Sequence, residues 1–482
     1  MTLKIYNTLT RQKEEFRERE PGKVYIYVCG PTVHDFIHIG NARTFITFDV
    51  VNRYLRYRGY DVTFVQNITD IEDKIIKKSN ESGIPASEIA NKFEQEYFRD
   101  IKSLNIMRAD VQPKATEHIP EMIEHIKGLM NRGMAYCIDG DVYFEVPRFS
   151  EYGKLSGMKL EELETGSRIG VNDLKKNSND FVLWKSSKPG EPKWESPWGQ
   201  GRPGWHIECS VMSLKYLKSG FDIHGGAVDL VFPHHENEIA QSEGLTGETF
   251  VKYWMHGGML NIGEQEMHKS LGNFITVRDL MLRYDFSTVR LFMLQTHYRS
   301  MLDFSEENLN AASNALDRIN ELNLRLDDIL SAKKVGQLES DDFEDVKVFN
   351  QAKTDFMESM DDDFNTPGAV AVIFNLVREV NRILDDVNFE PRVDETVFAL
   401  KAKTAIKELC SVLGLEPGRD KELTSELTAS LVELLVNLRE DARKKKDWQL
   451  SDRIRNELEK MGIALEDTAT GTRWMLKKKE IS

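Results

Sequence analysis

Two apolar runs, Val24–Val28 and Val62–Gln66, bracket a stretch from Ala42 to Arg58 in which Phe45, Phe48, Val51 and Leu55 recur at helical spacing. Strand, helix and strand in that order read as a crossover unit whose two strands lie parallel. The alternation holds over residues 22–110, so the chain opens as an α/β sheet. It resumes at Gly204 and runs to about residue 255. The intervening residues carry Leu183-Trp184-Lys185 and the Pro189–Trp194 stretch, and read as an insertion between two halves of one sheet. From Val277 onward the pattern becomes helical: Ser305–Asn308 looks like a helix start, and Ala311 to Leu330 has helical apolar spacing. Asp361–Pro367 reads as a turn opening a helix from Ala369 to Asp385. A chain of 482 residues exceeds a single core and is expected to hold three or more units.

Cys29, Cys209, His234 and Glu238 are the candidate metal ligands. Cys29 ends the first apolar run, and His234 and Glu238 stand four apart, on one face of a helix. Two thiolates, an imidazole and a carboxylate suit a borderline-soft ion such as zinc. The same residues, with no CxxC pair among them, also fit two buried cysteines and a histidine-rich helix start. Cys29, Cys137, Cys209 and Cys410 are too few and scattered for a disulfide framework, which points to a reducing compartment. Cys137 and Cys410 are expected in the core. No signal peptide opens the chain and no apolar stretch is long enough for a bilayer, so a cytoplasmic chain is expected.

Directly after Cys29 comes a Gly30-Pro31 turn and then His38-Ile39-Gly40-Asn41 at the start of the helical stretch. Unpaired N–H groups at a helix start favour phosphate, and Gly40 lets a nucleotide approach. His38 can donate to a phosphate in a transition state. Far downstream, Lys269 sits in Glu266-Met267-His268-Lys269-Ser270-Leu271-Gly272-Asn273, where a lysine can neutralise triphosphate; a solvated loop lysine is the alternative. The balance of 64 Lys+Arg against 79 Asp+Glu, net −15, is not that of a general nucleic-acid binder. The basic run Arg439–Lys446, with Trp448 next and Arg473-Trp474 later, is a local exception that suits unstacked bases, or equally a solvated basic helix with packing tryptophans.

The segments around His38 and Lys269 together resemble the HIGH and KMSKS signatures of class I aminoacyl-tRNA synthetases. Cys29–Val33, Gly201–Ser210, Phe232–Ser242, Asn67–Asp70, Asp222–Gly226 and Asp361–Pro367 narrow the resemblance to the cysteinyl-tRNA synthetase family, nearly end to end. The resemblance implies a Rossmann-type catalytic domain with an inserted connective peptide, then a helical bundle and a small C-terminal anticodon-binding domain. The boundaries expected are 1–110 and 201–255 for the halves of the catalytic domain, 111–200 for the insertion, 256–305 for the phosphate loop and stem-contact region, 306–420 for the bundle and 421–482 for the anticodon domain. It also implies one zinc ion per chain, ATP with Mg2+, cysteine and tRNA(Cys) as substrates, and a monomer.

By the same resemblance His38 and Lys269 are catalytic, and His38, Gly40, Asn41 and Lys269 bind ATP. Thr32, Trp205 and His224 line the amino-acid pocket, with His206 and His235 nearby. Arg443, Trp448, Asp452 and Asp467 match anticodon contacts. Asn41 replaces the last histidine of HIGH but keeps a donor and can cap the helix. In the phosphate loop Glu266 replaces a lysine and His268 a serine, which puts ATP affinity in question. Two further readings stay open: a zinc-dependent ligase joining cysteine to a small amino sugar, and a catalytically weakened tRNA-binding paralogue.

Overall fold

The structure is a computed structural model that describes residues 2–158, 175–262, 265–266, 274–332, 344–385, 395–417, 419–445, 447–460, 463–468 and 471–476. The chain divides into two compact units, residues 1–416 and 417–482.

The first unit opens with an antiparallel pair, β1 (Lys4–Asn7) and β2 (Gln12–Glu15). Then follow β3 (Lys23–Val28), α1 (Ile39–Tyr57), β4 (Asp61–Gln66), α2 (Asp73–Ser82), α3 (Ala86–Ser103) and α4 (Ile119–Asn131). The insertion supplies β5 (Ala135–Ile138), β6 (Asp141–Phe144), β7 (Phe181–Ser186) and β8 (Gly201–Pro203), an antiparallel sheet in that order. The parallel sheet is completed after α5 (Trp205–Leu217) by β9 (Phe221–Ala227), α6 (Glu236–Thr246) and β10 (Val251–Gly257). Its order is β10-β9-β3-β4, and every neighbouring pair is parallel. The two strands read from the sequence pair as expected, Val24 opposite Val62 and Val28 opposite Gln66. Strands buried on both faces need near-continuous apolar runs, which β3 provides, whereas β9 buries Asp222 and His224 among its apolar residues.

Helix α1 begins three residues before the expected Ala42. His38 Nδ1 accepts from the Asn41 amide at 3.3 Å and Asn41 Oδ1 accepts from the His38 amide at 3.2 Å, a reciprocal cap that fixes the start. Cys410 is buried as expected, but Cys137 is not in the core. It lies on β5, an edge strand of the insertion sheet, with its side chain on the exposed face.

Past β11 (Leu260–Ile262) and β12 (Gln265–Glu266) come α7 (Val277–Met281), α8 (Phe286–Leu294) and β13 (Leu302–Phe304). The helices α9 (Glu306–Ala332), α10 (Glu344–Asp361), α11 (Thr366–Asp385) and α12 (Glu395–Val412) complete the unit. One apolar cluster runs from Val24 and Phe48 through Phe292 to Leu409, so sheet and bundle share a core. The second unit holds α13 (Arg419–Lys444), α14 (Trp448–Lys460) and the hairpin β14 (Ile463–Thr468) and β15 (Gly471–Leu476), around Val432, Val436, Leu458 and Ile463.

Candidate metal centre and active site

The carboxyl ends of β3 and β9, the start of α5 and the approach to α6 meet at one point, as ligand sites of open α/β sheets do. Cys29 follows β3 immediately, and its amide donates to Gly225 O at 3.1 Å. The next residue must be glycine: a Cβ at Gly30 would stand 1.7 Å from Asn67 O. Cys209 lies one turn into α5. Helix α6 is regular from Glu236, but the wider turn Val231–His235 runs straight into it and departs from helical φ/ψ only at Phe232, so His234 and Glu238 lie one above the other as their spacing implied.

The four groups still converge, each buried. Cys29 Sγ lies 3.8 Å from Cys209 Sγ and 3.5 Å from Glu238 Oε1, and His234 Nε2 lies 3.1 Å from Glu238 Oε1. A tetrahedral zinc with bonds of about 2.3 Å to sulfur and about 2.05 Å to nitrogen or oxygen requires edges of about 3.75, 3.55 and 3.35 Å for those pairs. The donor set therefore fits such an ion in kind and in spacing.

The surrounding residues complete the case. His206 Nδ1 stands 2.9 Å from His234 Nδ1, which leaves His234 Nε2 for the cluster. His224 Nε2 bonds Glu238 Oε2 at 2.8 Å, so the other carboxylate oxygen faces the thiols. His235 Nε2 lies 3.2 Å from Cys29 Sγ; its Nδ1 meets His256 Nε2 at 2.8 Å, and His256 Nδ1 meets Thr8 Oγ1 at 2.8 Å. Such outer partners orient ligands and set their basicity. Tyr27, Asn67, Thr69 and Glu208 form the other wall, with Thr69 Oγ1 donating to Glu208 Oε2 at 2.8 Å. Neither Thr8 nor His256 carries a signal in the sequence, because only the packing of β1 against β10 brings them here.

Burial pushes the Cys29 thiol well up, and Cys209 and Glu238 add to it. Burial also opposes ionisation of Cys209, yet the Cys29 hydrogen bond and His234 hold it down at about 6. Burial works against a charged His234, but its bonds to Cys209 and Glu238 bring it up to about 10. Glu238, also opposed by burial, is held to about 2 by His224 and His234. His206 and His235 are driven well down, first by burial and then by neighbouring imidazoles, and His256 falls to about 3 mainly through burial. The protons on Cys29 and His234 are those a divalent ion would displace.

Trp205 stacks on His234 with ring centres 4.3 Å apart and borders a cavity of about 490 Å³ that also touches His206, Glu208, Tyr143 and Arg202. Thr32 reaches the same region through its bridge to Thr69.

A family model described as the class I (C) tRNA synthetase catalytic domain matches residues 15–314, a DALR domain matches 355–416, and a cysteinyl-tRNA ligase anticodon binding domain matches 424–474. The chain belongs to the cysteine–tRNA ligase family. The cysteine–tRNA ligase of Desulfitobacterium hafniense is 52% identical, over 99% of this chain and all of that protein. That of Carboxydothermus hydrogenoformans is 51% identical, over 98% of this chain and 99% of that one. Among solved structures, the methionyl-tRNA synthetase of Mycobacterium tuberculosis in complex with methionyl-adenylate superposes with a TM-score of 0.60 at 15% identity, over 81% of this chain and 89% of that one, which is a likeness of fold.

In this cysteine–tRNA ligase fold His38 and Asn41 cap α1, and less of the helix start is open than the sequence implied. The Asn41 amide is taken by His38, and the Ile39 amide by Ile275 O at 3.1 Å. The Gly40 amide keeps no hydrogen-bond partner among the described residues. Lys269 and His268 lie outside the described residues, and Glu266 sits on β12 opposite Asn261. In the second unit Arg443 ends α13, exposed Trp448 opens α14 with Asp452 one turn on, and Asp467 belongs to β14, its side chain outside the described residues. Asp452 lines an open groove with Asp447, Arg453 and Asn456.

Proposed function

We propose that this cysteine–tRNA ligase activates cysteine with ATP and Mg2+ to cysteinyl-adenylate and passes it to the terminal adenosine of tRNA(Cys), and that Cys29, Cys209, His234 and Glu238 hold one zinc ion that selects the substrate thiol. The convergence of those four side chains at tetrahedral spacing carries the metal reading. When bound, zinc would supply a soft Lewis acid for which a thiolate is a far better ligand than a hydroxyl, so serine and alanine are rejected without editing.

The protein's own residues do the rest by position and charge. His224 and His206 orient Glu238 and His234. His235 hydrogen-bonds Cys29, backed by His256 and Thr8. Trp205 walls the pocket over His234, and Thr32 approaches from the Thr69 side. The Gly40 amide, His38 and Lys269 stabilise the triphosphate as pyrophosphate leaves, and no protein nucleophile is needed. Arg443, Trp448, Asp452 and Asp467 contact the anticodon. A monomer in the cytoplasm is the expected form; no helix among the described residues is long and apolar enough to cross a membrane. The match to an anticodon binding domain over 424–474 speaks against an acceptor as small as an amino sugar.

The test is attachment of labelled cysteine to tRNA, with cysteine-dependent pyrophosphate exchange in parallel, before and after chelation and zinc return. Both activities are expected, lost on chelation and restored by zinc. Exchange without charging would favour the small-acceptor ligase; metal-free protein as active and as selective as the loaded form would remove the thiol reader.

A further inference from the structure

Arg43 stands one turn into α1, two residues beyond Asn41, and is 3% exposed. Its guanidinium meets no carboxylate among the described residues. It donates instead to five backbone carbonyls: Gly258 at 2.9 Å, Met259 at 2.6 Å, His297 at 3.3 Å, Tyr298 at 3.5 Å, and Ser300. Those acceptors belong to two separate segments. Residues 258–259 lead into β11 and residues 297–300 lead into β13, and the two strands pair in parallel from Leu260 opposite Leu302. The segments also bond each other, Gly258 N to Tyr298 O at 2.7 Å and Leu302 N to Met259 O at 3.0 Å.

Burying a guanidinium without a counter-charge is costly, and burial lowers this one to about 10, so it still enters the protein charged at neutral pH. Two strands already paired do not need a cation to hold them together. What the cation adds is a fixed distance between both strands and the first turn of α1, the turn formed by His38, Gly40 and Asn41. The far side of the same region is tied to that turn as well. Ile39 N donates to Ile275 O at 3.1 Å, Val277 N donates to Ile37 O at 3.1 Å, and the Phe274 ring lies 5.3 Å from the His38 ring. In sequence Lys269 falls between these two anchorages, after β12 and before Phe274.

We propose that Arg43 is a positioning residue for the ATP step: its five-carbonyl grip sets where the first turn of α1, with His38 and Gly40, stands against the segments leading into β11 and β13. This rests on the assignment of the α1 start to ATP. None of the five carbonyls Arg43 grips belongs to Cys29, Cys209, His234 or Glu238, so its effect is expected on nucleotide before metal.

The test uses the full chain with Arg43→Lys, which keeps the charge but offers three donors for five acceptors. Pyrophosphate exchange is expected to show KM for ATP raised, or kcat lowered, by about tenfold, with KM for cysteine within about twofold and zinc content unchanged. A second variant, Gly258→Ala, keeps Arg43 but brings a Cβ to 2.5 Å from Ser300 O and 2.7 Å from Arg299 O, which spreads the gripped carbonyls. The same nucleotide-selective defect is expected. Parallel loss for ATP and cysteine, with zinc loss, in both variants would make Arg43 merely structural and overturn the proposal; so would unchanged ATP parameters. Equilibrium binding of a fluorescent ATP analogue, without cysteine or tRNA, separates the two readings. Weakened binding by the variants would sustain the role of Arg43 even if the unaltered chain failed to exchange with cysteine.

Discussion

His125 illustrates how a single residue can shape the pH response of this chain. It is buried in α4 with Nε2 donating to Gln241 O at 3.0 Å, and burial lowers it to about 4. Because the folded value lies below the ordinary one, the unfolded chain takes up a proton first as pH falls from about 6.5, and folding stability drops with it. The loss runs at about 1.4 kcal/mol per pH unit down to about pH 4, roughly 3 kcal/mol in all. Replacing it with His125→Gln should flatten the acid limb of a denaturation-midpoint profile by that slope; an unaltered limb would show that His125 titrates normally. At this scale the sequence was readable where side-chain chemistry is scarce and distinctive. Cys29, Cys209, His234 and Glu238 stood out as thiol, imidazole and carboxylate, and they do converge. His256 and Thr8 did not, since each is an ordinary polar residue until tertiary packing sets it in the chain of bonds behind Cys29, and Asn67 and Thr69 were legible only as part of a family motif, without a role. Cys137 was misplaced for a related reason: burial on a strand depends on which face meets the core, and at a sheet edge the period of two gives no answer.

Among the elements, periodicity gave the existence of α1, α9 and α11, and the start of α9 after Ser305 and the end of α11 at Asp385 were also read, while α1 and α11 begin three residues before the expected Ala42 and Ala369. The reciprocal cap of His38 and Asn41 sets the first turn of α1; Asn41 was legible as a capping residue, but His38 was not legible as its partner. What joins sheet and bundle was not visible at all. Arg290 on α8 is fully buried, bonds Asp49 of α1 at 2.6 Å, and donates to Leu413 O at 2.8 Å just beyond α12 and to Leu104 O at 3.2 Å after α3. Four helix termini or faces therefore depend on one guanidinium. The change Arg290→Met should cost about 3 kcal/mol, because it strands buried carbonyls and removes one of two cations from Asp49. Its signature is an early denaturation transition of residues 1–416, and a midpoint equal to that of the unaltered chain would contradict the account. No spacing rule links residues 49, 104, 290 and 413, so the bond is a product of the assembled fold.

For the whole molecule, the acidic excess of −15 resides almost wholly in residues 1–416, since acids and bases nearly balance in 417–482. The larger unit has its own continuous core, extending to Leu413 and Leu415. A chain ended at Glu416 should therefore keep cysteine-dependent pyrophosphate exchange. It should lose tRNA charging by about a hundredfold in kcat/KM, equivalent to roughly 2.7 kcal/mol of transition-state binding. Loss of exchange together with charging would instead show that the first unit needs the second to fold. The placement of the four candidate metal ligands has a further meaning during synthesis. Cys29 emerges from the ribosome long before Cys209, and His234 and Glu238 follow only when about half the chain has been made. Until then the chain holds at most the two thiols of the set and lacks its imidazole and carboxylate, so both thiols must stay reduced while the rest is made. A chain interrupted before residue 238 lacks Glu238 and so cannot assemble the four-residue cluster.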